Sequence, residues 1–322
     1  MNGRTGAPTD PAHRLADELI AAGALTDPAW RRAFEEVPRE LFVPCYYAPG
    51  TDTGARERRR RDDPTPEGRA RWLRGVYRDV PLATRWRGGE AVSSSSQPSL
   101  MAGMLEALRV RDGMRVLEVG TGPGYNAALL SHRLGDRNVA TVDLDPEITS
   151  AARQHLAAAG HHPAVVTGDG ARGCPEHAPY DRIIATCALS AVPTAWLARC
   201  TPGALVLAPL ATGLVALRVL DGGHASGRFL PTPAYFVPLR GPTPAPHHVG
   251  STDGLPADAR RSDAFHFLLA LTRGRLPGHA AYALWEAVGR PERSRYGVTV
   301  RDGRQWAWLD APYGAHTWPL AP

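Results

Sequence analysis

The sequence predicts an α/β protein built on a mainly parallel sheet covered by helices, and three observations carry that prediction. From about residue 111 to residue 210, short apolar runs alternate with helical patterns, the signature of βαβ units. A glycine-rich turn, VLEVGTGPGYN, joins the first run to the following helix, where such folds bring bare backbone to a ligand. Beyond Leu210 the alternation gives way to hairpin signals at Asp221-Gly222-Gly223 and Asp302-Gly303, which add antiparallel strands.

The elements follow in order. Apolar residues at helical spacing predict helices over about 11–22 and 28–36, and VPRELFVP then breaks the pattern with Pro38 and Pro44. The stretch from about Pro49 to Gly68 is rich in Pro, Gly, Asp and Arg and reads as an irregular insertion. Gln97–Leu108 is helical, Asp112-Gly113 turns, and Arg115–Val119 is a short buried strand. The strands VATVDLD, PAVVTGDG, YDRIIATCAL and GALVLAPL come next, with helices at 146–159 and near 193–199. A hairpin pairs 214–220 with 225–230; after a Pro-rich stretch at 231–256 come helices near 263–271 and 279–288, and a hairpin of YGVTVR with QWAWLD. The expected organisation is an N-terminal helical segment at 1–110, a Rossmann-like core at 111–230 and a C-terminal α+β extension at 231–322. The first segment carries an Arg-rich insertion at about 49–88 and a serine loop at 93–98.

Composition excludes several classes. No apolar run approaches the ~20 residues needed to cross a bilayer, and the opening residues carry no apolar signal core. A cytoplasmic protein that binds neither membrane nor nucleic acid is expected. Cys45, Cys174, Cys187 and Cys200 lack paired spacing, and the pairs His161-His162 and His247-His248 lack the i, i+4 arrangement of a helical zinc site, so no metal is expected. All 37 basic residues are Arg. Eleven of them lie between Arg56 and Arg87 against five carboxylates, a local block that suits either an acidic partner or a solvated loop.

The cofactor signal is a constellation. Gly120, Gly122 and Gly124 follow a strand and precede a helix, where a Cβ would obstruct a tight turn and a close ligand. Glu118 lies inside the preceding strand, where a carboxylate needs partners. Asp143 ends the next strand and suits ribose hydroxyls. Asp169, in GDG after the third strand, suits an adenine amino group. Each carboxylate alone is equally a cap or turn residue; three at successive strand ends point to S-adenosylmethionine. G-x-G-x-G also departs from the G-x-G-x-x-G of nicotinamide enzymes.

VPRELFVP, SSSSQPSLMA, VLEVGTGPGYN, VTGDGARG and YDRIIATCAL resemble, in that order, the motifs of protein L-isoaspartyl O-methyltransferases. The resemblance spans about 17–210, interrupted by the Arg-rich insertion, and Pro123 stands where the family has a small or polar residue. It implies a Rossmann-like class I fold that binds S-adenosylmethionine, and its product S-adenosylhomocysteine, through Glu118, Gly120, Thr121, Gly122, Gly124, Tyr125, Asp143, Leu144, Asp169 and Gly170. It also implies that Ser96-Gln97-Pro98 contacts the acceptor carboxylate, with Ser94 and Ser95 just upstream and Cys187 and Ala188 on the acceptor side. The run Ser93–Ser96, the C-terminal extension and the ending QWAWLDAPYGAHTWPL resemble a subgroup associated with graspetides. Members of that subgroup methylate an aspartate in a precursor peptide macrocyclised by an ATP-grasp ligase, and the ester then closes to an aspartimide. Isoaspartate repair, an aspartyl methyltransferase of lanthipeptides, and a non-enzymatic nucleotide- or peptide-binding module are the alternatives.

The chemistry asks little of acid–base residues. A carboxylate with a pKa of about 4 is ionised at neutral pH, so attack on a sulfonium methyl needs no general base. Positioning can supply the catalysis. Ser96 is expected to donate to the carboxylate oxygen that does not attack; its structural alternative is an N-cap for the helix beginning at Pro98.

Overall fold

The computed structural model describes residues 10–50, 56–241 and 251–320; the His247-His248 pair lies outside them. Two compact units divide the chain. One runs to Met114 and also takes Thr121–Thr167; the other takes Arg115–Gly120 and Gly168 onward.

The first unit opens with α1 (Pro11–Ala21) and α2 (Pro28–Glu36). Each begins at an Asp-Pro pair: Asp10 Oδ1 accepts from the Ala12 amide at 2.8 Å, and Asp27 Oδ1 from the Ala29 amide at 2.7 Å. The cap satisfies an orphan amide and proline presets the first helical φ. The chain continues as β1 (Cys45–Pro49), β2 (Arg56–Arg60), α3 (Pro66–Val76), β3 (Leu82–Arg87) and β4 (Glu90–Ser95), whose strands form an antiparallel sheet in the order β2-β1-β3-β4.

The stretch expected to be irregular therefore contains a strand and the start of a helix. The strand was hidden because RERRR is an edge strand with no apolar alternation, as charged edges commonly are. The apolar side comes from its neighbours: Tyr46 and Trp72 are buried, and Trp72 Nε1 donates to the Val43 carbonyl at 2.9 Å. The segment at 1–110 is thus helical and β-structured.

Next come α4 (Pro98–Ala107), β5 (Val116–Val119) of the second unit, α5 (Tyr125–Leu134), β6 (Val139–Asp143), α6 (Pro146–Ala158) and β7 (Ala164–Thr167). β6 and β7 pair in parallel across α6, as the alternation predicts.

In the second unit β5 pairs in parallel with β8 (Tyr180–Ala185), and β8 with β9 (Cys200–Leu210) after the short α7 (Thr194–Leu197). Antiparallel strands then extend the sheet through β10 (Gly213–Asp221) and β11 (His224–Pro233). After α8 (Ala257–Arg261), α9 (Asp263–Thr272) and α10 (Gly278–Ala287), β12 (Tyr296–Arg301), β13 (Arg304–Leu309) and β14 (Thr317–Pro319) continue it. The expected C-terminal extension therefore shares a sheet with the core strands, through the β11–β12 pairing. Its aromatic core includes Phe229 edge-on to Phe267, with centroids 4.9 Å apart. The β12–β13 turn uses Asp302 and Gly303, both at positive φ, as an Asp-Gly hairpin demands. α8 and β14, at five and three residues, were too short for periodicity to reveal.

Candidate active site

The glycine loop begins in the second unit. Glu118 is fully buried in β5 and pairs in register with Ile184 of β8. Gly120 follows at φ +99°, and a Cβ there would sit 2.6 Å from Thr186 Oγ1. That hydroxyl donates to the Gly120 carbonyl at 2.6 Å, so the loop leaves β5 pressed against the residue after β8. The same segment holds Cys187, buried beside the Val119 carbonyl, and Ala188, whose amide donates to the Val237 carbonyl and whose carbonyl accepts from Leu239, both at 2.8 Å. Asp169 caps a short 3-10 turn, Oδ1 accepting from the Ala171 amide at 2.9 Å, and Gly170 is buried with its carbonyl bound by Trp196 Nε1. The cap role for Asp169 is thus filled by one oxygen.

The loop continues in the first unit. Thr121 Oγ1 lies 2.8 Å from Thr141 Oγ1, and the Gly122 amide donates to Asp143 Oδ2 at 3.2 Å. Asp143 Oδ1 accepts from the Asp145 amide at 3.3 Å. Two backbone amides thereby hold a carboxylate that is 8% exposed at the end of β6. Leu144, the next residue, is 41% exposed, so an apolar side chain is accessible beside the strand end. Gly124 is the N-cap of α5, and His155 donates from Nδ1 to the Pro123 carbonyl at 2.9 Å, tying down the loop's middle. Burial lowers the His155 pKa, and the bond to the carbonyl requires the proton on Nδ1. The Tyr125 side chain packs between Phe34 and Phe42 in the core, leaving its backbone at the start of α5 as the part that can face a ligand.

The serine run ends β4. Leu82 pairs with Ser95, Ala83 with Ser94 and Arg85 with Ser93, and Thr84 Oγ1 donates to Ser93 Oγ at 3.0 Å. This strand reaches the glycine loop: a Cβ on Gly122 would lie 3.3 Å from the Ser94 carbonyl oxygen. The α4 N-cap is Gln97, with no side-chain cap bond, so the alternative structural role for Ser96 is not used. Gln97 Nε2 donates to Asp79 Oδ2 at 3.2 Å and to Ser99 Oγ at 3.0 Å, and Pro98 is buried at the first helical position. The amide expected at the acceptor is therefore engaged inside the protein.

Sequence reasoning missed Arg39, which is fully buried and donates to Ser95 Oγ and to the Ser96 carbonyl. The available signal was a lone arginine within the apolar, proline-bounded VPRELFVP.

Residues 69–238 match the family described as protein-L-isoaspartate(D-aspartate) O-methyltransferase. The chain is 36% identical over 229 residues to protein-L-isoaspartate O-methyltransferase 1 of Anaeromyxobacter sp. (strain Fw109-5), covering 69% of this chain and 92% of that relative. A solved protein-L-isoaspartate O-methyltransferase is similar in fold, with a TM-score of 0.62 at 23% identity over 96% of this chain and 98% of that one. A Plasmodium falciparum structure named for the same activity, solved with S-adenosyl-L-homocysteine, gives a TM-score of 0.54 at 14% identity over 72% of this chain and 99% of that one. The fold is the Rossmann-like α/β fold of class I S-adenosylmethionine-dependent methyltransferases. Within that class, the chain belongs to the protein-L-isoaspartate O-methyltransferase family of protein carboxyl methyltransferases.

Proposed function

We propose that this chain is an S-adenosylmethionine-dependent O-methyltransferase that esterifies an aspartate-derived carboxylate in a peptide, with isoaspartate as the principal acceptor. The observation that carries the reading is the approach of the serine run to the glycine loop, with the Ser94 carbonyl 3.3 Å from where a Gly122 Cβ would be. A methyl donor seated on the loop would face an acceptor bound to the serines.

The residues fit the cofactor. Asp143, at the end of β6 beside the loop, suits ribose hydroxyls, and exposed Leu144 offers an apolar face to the adenine. The second oxygen of Asp169 takes the adenine amino group, and the backbones of Gly120, Thr121, Gly122, Gly124 and Tyr125 admit the nucleoside and methionine parts. Gly170 lets the chain pass close to the base, and the Glu118 carboxyl lies in the strand that leads into the loop. When bound, the cofactor supplies an electrophilic methyl on a sulfonium sulfur. A carboxylate acceptor would take that methyl as the anion it already is, so these residues would have no proton to move. The chain therefore has to orient, exclude water and donate to the other carboxylate oxygen, which is the role of Ser96 with its neighbours Ser94 and Ser95. Cys187 and Ala188 border the acceptor.

The names of the relatives favour isoaspartate. The C-terminal extension does not distinguish another substrate, because a solved protein of that name covers nearly the whole chain. The graspetide reading, an ordinary aspartate in a precursor closed by an ATP-grasp ligase and destined for aspartimide, rests on Ser93–Ser96 and the ending QWAWLDAPYGAHTWPL. Offering the enzyme an isoaspartyl peptide, its aspartyl counterpart and a side-chain-cyclised aspartyl peptide, with mass spectrometry for a gained methyl, separates the readings. Turnover of the isoaspartyl peptide in preference to both others is expected. Exclusive turnover of the cyclised peptide would replace isoaspartate with the precursor aspartate.

A further inference from the structure

Arg39 is 0% exposed, and its three nitrogens make six contacts. Nη1 donates to the carbonyls of Val76 at 2.8 Å and Arg78 at 3.1 Å. Nη2 donates to the carbonyls of Ser96 at 3.1 Å and Val80 at 3.5 Å. Nη2 and Nε both donate to Ser95 Oγ, at 3.2 and 3.4 Å. Among the described residues no carboxylate forms an ion pair with it; Asp79 acts only at longer range and binds the Ser99 amide and Gln97. The Tyr125 ring lies 5.8 Å from the guanidinium carbon. Burial lowers the guanidinium's pKa, yet an arginine stays charged at any physiological pH. A buried cation whose contacts are all neutral is costly, and the fold tolerates it directly behind the serine run.

The consequence for Ser95 is a matter of counting. A hydroxyl has two lone pairs and one hydrogen. Both lone pairs of Ser95 Oγ receive guanidinium N–H groups, and its hydrogen finds no acceptor among the described residues. Ser95 is 3% exposed, so this is a buried hydroxyl committed to donating. The cation on its oxygen makes that hydrogen a stronger donor. Ser93 and Ser95 alternate with Ser94 along β4 and share a face, and Ser93 Oγ is 3.9 Å from the Gly122 Cβ position.

We propose that Ser95 is a catalytic hydroxyl donor to the acceptor carboxylate and that Arg39 is the positioning residue that orients and polarises it. The inference rests on the reading of Ser93–Ser96 as the acceptor segment, and it adds Ser95 to Ser96 as a donor of that run. The buried positive charge also favours an anionic acceptor over a neutral one of the same shape.

The test uses the full chain, saturating S-adenosylmethionine and whichever of the three peptides above the wild type methylates, with the asparagine-containing analogue as a neutral competitive inhibitor. Ser95→Ala is expected to lower kcat/KM for the peptide roughly ten- to a hundredfold. S-adenosylhomocysteine affinity by calorimetry should stay within about twofold, because no nucleoside contact is removed. Ser95→Thr should recover most of the loss. The preference for the carboxylate peptide over its amide analogue should shrink in Ser95→Ala and in Arg39→Lys, whose ammonium keeps the charge but not the two-pronged contact. A merely structural arginine would change thermal stability without moving that preference. Equal kcat/KM and equal carboxylate preference in Ser95→Ala and wild type would overturn the inference. Ser96→Ala, run in parallel, separates the failures: if it alone impairs transfer, only the Ser95 assignment falls, and if both variants match wild type, the acceptor segment itself is wrong.

Discussion

The glycine loop from Thr121 onward and the serine run lie in one unit, where a Gly122 Cβ would come close to the Ser94 carbonyl, yet they are held by opposite electrostatics. At the loop, backbone amides of Gly122 and Asp145 converge on the Asp143 carboxylate, an acceptor group. At the serine run, a buried guanidinium stands behind Ser95 and Ser96, presenting hydroxyls under a positive potential. The difference matches what each is proposed to bind: sugar hydroxyls, which donate to a carboxylate, and an anionic acceptor, which takes hydrogen bonds from donors. Neither region needs an acid–base pair, because no proton is exchanged in carboxylate methylation.

The contrast predicts separable defects. Ser96→Ala should give the largest: loss of one donor in a water-poor site costs roughly 2.7–4 kcal/mol in the transition state, a fall in turnover of about two to three orders of magnitude. Cofactor affinity should hold, which calorimetry with S-adenosylhomocysteine checks. Asp143→Ala should do the reverse, weakening S-adenosylhomocysteine binding by about 1.5–3 kcal/mol through loss of charged hydrogen bonds. An unchanged dissociation constant there would take Asp143 out of the cofactor site.

Gly122→Ala probes the seam between the two regions. Its φ of +51° and the 3.3 Å distance from the Cβ position to the Ser94 carbonyl mean that one methyl group strains the loop and pushes on the serine strand together. Left-handed backbone costs a non-glycine residue about 1–2 kcal/mol, so cofactor affinity and peptide KM should worsen in the same variant. A defect in only one of them would show that the two regions move independently.

The smallest effect is expected at the Arg-rich strand. Arg58, Arg59 and Arg60 lie on the edge strand β2, where Arg59 pairs with Glu57 and Arg60 with Asp62, leaving part of the block's charge already neutralised. Replacing Arg58–Arg61 with Ser should raise the KM of an acidic peptide a few-fold at low salt. The gap should close as the Debye length shortens from about 10 Å at 0.1 M to about 3 Å at 1 M. Salt-independent kinetics would reduce the block to a structural edge.

How much of this was legible depended on whether a feature is local. The glycine turn, the strand-end Asp143 and the βαβ alternation are written in neighbouring residues, and the structure reproduces each. The helix starts at Asp10, Asp27 and Asp145 were equally readable, as acceptor-proline pairs. β2 was not, because its only apolar support arrives through the partner strand and α3. Arg39 was not either: its partners Val76, Arg78 and Ser95 lie 37 to 56 positions away, and nothing near it announces them. Gln97 shows the converse, a motif residue whose local pattern suggested ligand contact while its amide is bound to Asp79.

The most direct test of the central claim is the chemical nature of the transferred methyl group. With methyl-labelled S-adenosylmethionine and an isoaspartyl peptide, the label should enter the peptide and leave as volatile methanol on mild alkaline treatment, as a carboxyl methyl ester must. Label that enters the peptide but survives alkali, marking a methyl on nitrogen or carbon, would contradict carboxylate methylation.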